Sequence, residues 1–227
     1  MRIDGVKSSF SVQKAHKAQL QLSKHIIFED MLPEKIRFVA GVDVAYTKKM
    51  SICAAVVLDF NSLGLVETQI ALCETHFPYI PTLLSFREIP QTLSSIKKLR
   101  TQPDVILVDG QGFAHPYRCG FASHLGLVTH KPTIGVAKSK LIGEIEESKA
   151  QEDVALLKDK GQVVGAMLTT KQNCKPVYIS VGHMVSLGTA IKIVKHCTRD
   201  NRIPEPILKA HELAGLEKRK IQYCFDN

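Results

Sequence analysis

The chain has 227 residues, 44% hydrophobic and 23% charged, with 14 glycines and 10 prolines, which excludes disordered, collagenous and disulfide-scaffold proteins. Its 30 Lys and Arg outnumber its 22 Asp and Glu, and the resulting net charge of +8 is spread along the chain, leaving solvated surface and a nucleic-acid face equally open. No apolar run approaches the roughly 18–20 residues that span a bilayer, and no apolar stretch follows the charged N-terminus MRIDGVKSSF. The six cysteines form no CxxC pair. The expectation is one cytoplasmic domain over 1–227, monomeric by default, with no membrane contact and no zinc ribbon.

In chain order, Val12, Ala15, Ala18, Leu22 and Ile26 recur at threes and fours and predict an amphipathic helix over 11–29. Three β-rich segments follow, 37–46, 51–60 and 65–74, and their short joins predict an antiparallel meander. Pro78, Pro81 and Pro90 punctuate a helical stretch from Thr82 to Arg100, with a break that places Pro90 in the first turn of a second helix. Residues 104–110 form a continuous apolar run of the kind buried on both faces of a sheet, expected to pair parallel to the first strand. A further strand is predicted at 132–138, then a polar helical stretch to about 160. Strands at 162–170 and 176–182, a helix at 186–198 and a last helical stretch around 206–218 complete the chain. The order βββαβαβ with late additions describes an α/β fold with a central mixed sheet flanked by helices.

Asp43 is the residue hardest to explain structurally. At a period of two it shares a face with Val39, Gly41 and Ala45, while Ala40, Val42 and Val44 line the other, and both faces look buried. A carboxylate there needs a cation, a hydrogen-bond network or a proton. Asp109 ends the run Val105-Ile106-Leu107-Val108, at the strand edge where α/β sheets place ligands. Neighbouring strands would bring the two carboxylates together, and a divalent cation relieves their repulsion. Oxygen donors without cysteine select a hard ion, Mg²⁺ or Mn²⁺, and hence phosphoryl chemistry.

The remaining candidates are weaker alone. Glu88 reads as a surface charge beside Arg87 or Lys97. His115, next to Tyr117 and Arg118, suits phosphate contact or leaving-group protonation, or is a turn histidine. Lys138 ends the strand 133–137, where an ammonium offsets charge developing on phosphate. His211 reads as a core or surface helical residue. Tyr79, framed by Pro78 and Pro81, is either a base-stacking or a packed loop aromatic.

Six ordered blocks carry a resemblance: Val39-Ala40-Gly41-Val42-Asp43-Val44, Pro78-Tyr79-Ile80-Pro81 with Leu84-Ser85-Phe86-Arg87-Glu88, Val108-Asp109-Gly110-Gln111-Gly112, Ala114-His115-Pro116, Ala122-Ser123-His124-Leu125-Gly126, and Thr133-Ile134-Gly135-Val136-Ala137-Lys138. Together they resemble the endonuclease V family of deoxyinosine-directed nucleases, and the likeness continues through Gly182-His183 and Pro204-Glu205-Pro206 to Ala210-His211. The resemblance implies an RNase H-like fold and Mg²⁺-dependent DNA repair, with Mn²⁺ as a substitute. The implied reaction is hydrolysis of the second phosphodiester 3′ to a deaminated base, leaving 3′-hydroxyl and 5′-phosphate ends. It further implies that Asp43 and Asp109 hold the metal, that Glu88 and His211 complete its surroundings, that Lys138 stabilises charge or orients water, that His115 sits near the scissile phosphate, and that Tyr79 is the wedge filling the gap left by the damaged base. Gly110, Gly112 and Gly135 would supply backbone walls for the base pocket. Tyr117 and Met184 stand where the family often carries a basic residue, which implies different phosphate contacts. Two alternatives stay open: an endoribonuclease acting on inosine RNA through the same site, and a non-catalytic lesion-binding module, against which the intact Asp43, Glu88, Asp109 and Lys138 speak.

Overall fold

A computed structural model describes residues 11–151, 153–171 and 173–226; the N-terminal stretch 1–10 and the side chain of Cys224 lie outside the described parts. Helix α1 (Val12–Leu22) starts where Ser11 Oγ accepts from the Lys14 amide. It is shorter than its apolar spacing predicted. A 3₁₀ turn (Ser23–His25) follows, and the chain turns extended at Ile26, which enters the core instead of continuing the helical stripe.

Strands β1 (Phe38–Tyr46), β2 (Met50–Asp59) and β3 (Leu65–Glu74) form the expected antiparallel meander. Helix α2 (Leu84–Lys97) then crosses over to β4 (Val105–Asp109), which pairs parallel to β1. Pro90 lies inside α2, so the predicted break is absent. Its ring occupies the exposed side of the helix, and the neighbouring Gln91 side chain donates to the Arg87 carbonyl at 2.8 Å, compensating part of the disturbed ladder.

Helix α3 (Phe121–Thr129) leads to β5 (Thr133–Ala137), parallel to β4. The segment read as a polar helix to about 160 is instead two strands, β6 (Glu144–Gln151) and β7 (Val154–Asp159). Alternation explains the difference: Ala155 and Leu157 are buried while Val154 and Leu156 are half-buried, a period of two that the flanking charges obscure. Strands β8 (Gln162–Leu168) and β9 (Val177–His183) and helices α4 (Leu187–His196) and α5 (Glu205–Asp226) complete the chain.

The nine strands make one mixed sheet of order β3-β2-β1-β4-β5-β9-β8-β7-β6, parallel only at β1–β4 and β4–β5. It is flanked by helices, the α/β architecture of the RNase H-like class. One face packs Ala40, Val42, Ile106 and Val108 against Ile89 and Ile96 of α2. The opposite face packs Val39, Val105 and Leu107 against Ile207, Ala210 and Ala214 of α5. No helix among the described residues is long and apolar enough to cross a membrane.

Candidate active site

The parallel register of β1 and β4 creates the site. Val42 pairs with Val108, so the next residues, Asp43 and Asp109, emerge side by side at the strand ends, on the face covered by α5. The expectation that Asp43 is enclosed on both faces holds only up to Val42; from Asp43 to Tyr46 the strand is half-buried because the sheet opens into a cleft. Across it, His211 of α5 places Nδ1 2.8 Å from Asp43 Oδ2, and Lys138 Nζ, just past β5, lies 2.5 Å from Asp109 Oδ2. One donor atom each from Asp43, Asp109 and His211 falls within 4.8 Å of the others, forming a candidate metal-binding group among the described residues. Two carboxylates and an imidazole can together hold a divalent metal ion.

Glu88 stands apart from this triplet. It is 7% exposed, not a surface charge, and it accepts a 3.1 Å hydrogen bond from the Tyr46 hydroxyl. The Arg87 guanidinium stacks 4.2 Å from the Tyr46 ring centre, holding that ring in place. Burial, with the negative charges of Asp43 and Asp109 adding, pushes the Glu88 carboxyl up to about 8. Burial also raises the Asp109 carboxyl, while Lys138 pulls it the other way.

Because folded Glu88 holds its proton more tightly than an unfolded carboxyl near 4.5, its stabilising share is present below about 4.5 and is lost as pH rises through about 8. Urea titrations in chelator across that window should show wild-type stability falling with pH and the Glu88→Gln variant falling less steeply. Equal slopes would remove the buried proton from Glu88.

Two cavities meet at Asp109 and Lys138. The first, about 330 Å³, is lined on one side by Tyr79, Thr82, Leu84 and Ser85, and on the other by Gly110, Gln111, Gly120 and Phe121. Ser85 Oγ and Gln111 Oε1 are buried there without a hydrogen-bond partner. The second, about 520 Å³, runs from Asp43, Tyr46 and His211 along α5 to Lys218, Arg219 and Gln222.

His115 lines the first cavity beside Asp109, and its Nδ1 accepts from the Tyr117 amide at 3.2 Å. Burial pushes its imidazole down to about 4, so in the absence of substrate the ring is neutral at pH 7 on the cavity wall. Tyr79 stands 70% exposed on the rim. Gly110 lines the cavity, whereas Gly112 and Gly135 lie against backbone: a Cβ at Gly112 would fall 2.2 Å from Val181 O, and one at Gly135 2.5 Å from the Gly112 nitrogen. Their smallness closes the loop onto the sheet and does not face the cavity. Tyr117 stacks on His16 at 3.9 Å, and Met184 ties its backbone to Ile27 and Met31.

Of the α5 wall the family resemblance pointed to His211 alone; Gly215, Lys218, Arg219 and Gln222 had no signal in the sequence. His211, Gly215, Lys218, Arg219 and Gln222 follow one helical face, but only the crossing of α5 over β1 shows that this face lines a cleft.

A family model described as endonuclease V matches residues 20–212. The chain belongs to the endonuclease V family. It is 44% identical over 212 residues to an endonuclease V of Thermofilum pendens, covering 93% of this chain and 90% of the relative. It is 46% identical over 217 residues to that of Rippkaea orientalis, covering 92% and 94%. The crystal structure of Streptomyces avermitilis endonuclease V superposes with a TM-score of 0.86 at 38% identity, covering 93% of this chain and 95% of that one. Endonuclease V of Ciona intestinalis, crystallised with a 24mer DNA containing an inosine followed by a ribo-adenosine, superposes with a TM-score of 0.84 at 32% identity, covering 92% and 98%. This endonuclease V fold is therefore shared well beyond the short blocks visible in the sequence.

Proposed function

We propose that the chain is a divalent-metal-dependent endonuclease that hydrolyses the second phosphodiester 3′ to a deaminated base, leaving 3′-hydroxyl and 5′-phosphate ends. The observation that carries this reading is the junction of the two cavities: a recess of about 330 Å³ opens beside Asp109 and shares Asp109 and Lys138 with the basic cleft along α5 that also holds Asp43. A base seated in the recess leaves its strand running across the acidic group.

Asp43, Asp109 and His211 would hold Mg²⁺ or Mn²⁺, which when bound polarises a phosphoryl group and lowers the pKa of water. Asp43 accepts from or pairs with His211 and so fixes the imidazole against the strand ends. Lys138 supplies a compensating positive charge beside Asp109 for oxygens that gain charge as the phosphorus is attacked. Buried Glu88 carries its charge or proton behind both aspartates and sets how readily they accept a cation.

Tyr79 on the recess rim suits a wedge that stacks in the gap left by the everted base. Eversion costs least for a mispaired or damaged base, which favours hypoxanthine over normal bases before any contact is made. Ser85 and Gln111 line the recess, and a side-chain rotation would turn their buried, unpartnered hydroxyl and amide oxygen toward a base as a donor and an acceptor. Hypoxanthine presents the complementary O6 and N1–H.

A second substrate reading, cleavage of inosine RNA, is favoured by the Ciona intestinalis complex, whose ligand carries a ribonucleotide directly after the inosine. End-labelled strands with one inosine, made as DNA, as RNA and as DNA with a single following ribonucleotide, test both with Mg²⁺, Mn²⁺ or chelator. The expected product is one cut between the first and second nucleotides 3′ of inosine, and the preferred strand names the substrate. Tight inosine-dependent binding with no cut in either metal would leave the lesion-binding module instead. Tyr79→Ala should raise the half-saturating substrate concentration about tenfold, in line with one lost base stack.

A further inference from the structure

Helix α1 sends one fully buried polar side chain into the recess walls. Gln19 is 0% exposed, and its amide nitrogen donates to two carbonyls, Thr82 O at 2.9 Å and Cys119 O at 3.0 Å. These carbonyls belong to opposite sides of the recess: Thr82 follows the Tyr79-Ile80-Pro81 rim, and Cys119 precedes the Gly120-Phe121 wall. The amide orientation is dictated, because exchanging oxygen and nitrogen would set an oxygen against both carbonyls. Gln19 Oε1 is left buried without a partner, an arrangement that ordinary packing disfavours.

Thr82 needs such a tether. Its φ is +71°, a left-handed conformation that a β-branched residue rarely adopts, and it is fixed two ways. Gln19 holds its carbonyl, and His16 Nε2 lies 2.9 Å from its hydroxyl. His16 is itself held by its stack on Tyr117. The adjoining turn closes on the Leu83 amide, which donates to Ile80 O at 3.0 Å.

We propose that Gln19, assisted by His16, is the positioning residue that sets the gap between the Tyr79 rim and the Gly120 wall, and hence the recess's discrimination for the everted base. The inference rests on the reading that this recess takes the base. Without the amide bridge, Thr82 relaxes toward negative φ and carries the Tyr79 turn away from the opposite wall, while Asp43, Asp109 and Lys138 stay in place because their side chains are held by His211 and by the Asp109–Lys138 pair.

Two variants test this in the full-length protein. Gln19→Met keeps the volume and removes both donors; His16→Phe keeps the stack on Tyr117 and removes the bond to Thr82. Single-turnover cleavage should show the half-saturating concentration of an inosine strand rising about tenfold for Gln19→Met and less for His16→Phe, with the maximal rate changed less than about threefold. Binding of the same strand with adenine in place of inosine should be unchanged. Thr82→Gly, which tolerates positive φ, should restore part of the loss in the Gln19→Met background.

Hydrogen exchange followed by mass spectrometry gives a readout independent of catalysis. Amides of residues 78–86 should exchange at least about tenfold faster in Gln19→Met while those of β4 keep wild-type protection. Unchanged exchange at 78–86, or an equal loss of binding for inosine and adenine strands, would overturn the positioning role. A wild-type protein that does not distinguish inosine from adenine would instead overturn the functional reading, and the exchange result would still decide whether Gln19 holds the rim.

Discussion

Asp109→Asn is expected to lower metal-dependent cleavage of an inosine strand by about 10³-fold or more, and Asp43→Asn to do the same. Asparagine keeps the shape of each side chain and removes one of the charges that the strand ends bring together. The loss should persist at saturating substrate, because the recess wall formed by Gly110 and Gln111 does not depend on the charge of Asp109. Raising Mn²⁺ should recover little, since two of the three converging donor atoms are carboxylate oxygens. A second consequence separates this from unfolding. Burial raises the Asp109 carboxyl above its ordinary 3.8, so in the metal-free protein its charged form works against the fold once the pH exceeds that value. In chelator at pH 8, Asp109→Asn should therefore melt above wild type even though it is inactive. A variant that cuts at the wild-type rate would remove Asp109 from the metal group, and one that is inactive only because it melts earlier would leave the assignment without support.

Asp43 and Asp109 were legible because one interrupts and the other ends an apolar run that only a central strand explains, and because parallel pairing of those strands follows from the crossover between them. Glu88 was pointed to by the family resemblance, but its burial was not legible from its own neighbours. Written between Arg87 and Ile89 it looks like one half of a surface pair, and its burial depends on α2 lying over the sheet so that Tyr46, 42 positions earlier, reaches its carboxylate. His211, named by the family resemblance, gains its physical reason through α5, whose path over β1 brings it within 2.8 Å of Asp43. The error over 139–160 has a local cause: β6 carries the run Glu144-Ile145-Glu146-Glu147, whose charges mimic a solvated helix, and its pairing with β7 is a long-range fact. Gly112 and Gly135 show the converse case. A glycine beside a site suggests contact with substrate, yet here the close neighbour is the protein's own backbone.

The basic charge also acquires a location. Lys138, Lys218 and Arg219 border the cleft that holds Asp43 and Asp109, so a polyanion meets cations along α5 before it meets the carboxylates. The cations favour the approach of a phosphate backbone at low salt. The carboxylates oppose its last step unless a divalent ion sits between them. Metal and nucleic acid are thus expected to bind cooperatively, each offsetting the repulsion that the other would face alone.

Gly41→Ala is expected to cost about 1–3 kcal/mol or more of stability and most of the activity, although residue 41 touches neither cavity. A Cβ at Gly41 would fall 2.0 Å from Pro206 O and 2.7 Å from the Ile207 nitrogen. These are backbone atoms in the first turn of α5, so no side-chain rotation relieves the clash, and the helix must lift from β1. Ile207, Ala210 and Ala214, buried against the sheet, would lift with it. His211 lies one turn beyond Ile207, and its 2.8 Å contact with Asp43 is the part of the site that depends on this seat. Lys138, just past β5, and Asp109, at the end of β4, should keep their pairing. The variant should therefore melt roughly 2–10 °C below wild type and need more metal for half-maximal cleavage. Gly188→Ala provides the control: nothing lies within 4 Å of a Cβ there, so it should gain up to about 1 kcal/mol from better helix propensity in α4 and cut normally. If Gly41→Ala melted and bound metal like wild type, the first turn of α5 would yield freely and His211 would not owe its position to the glycine beneath it.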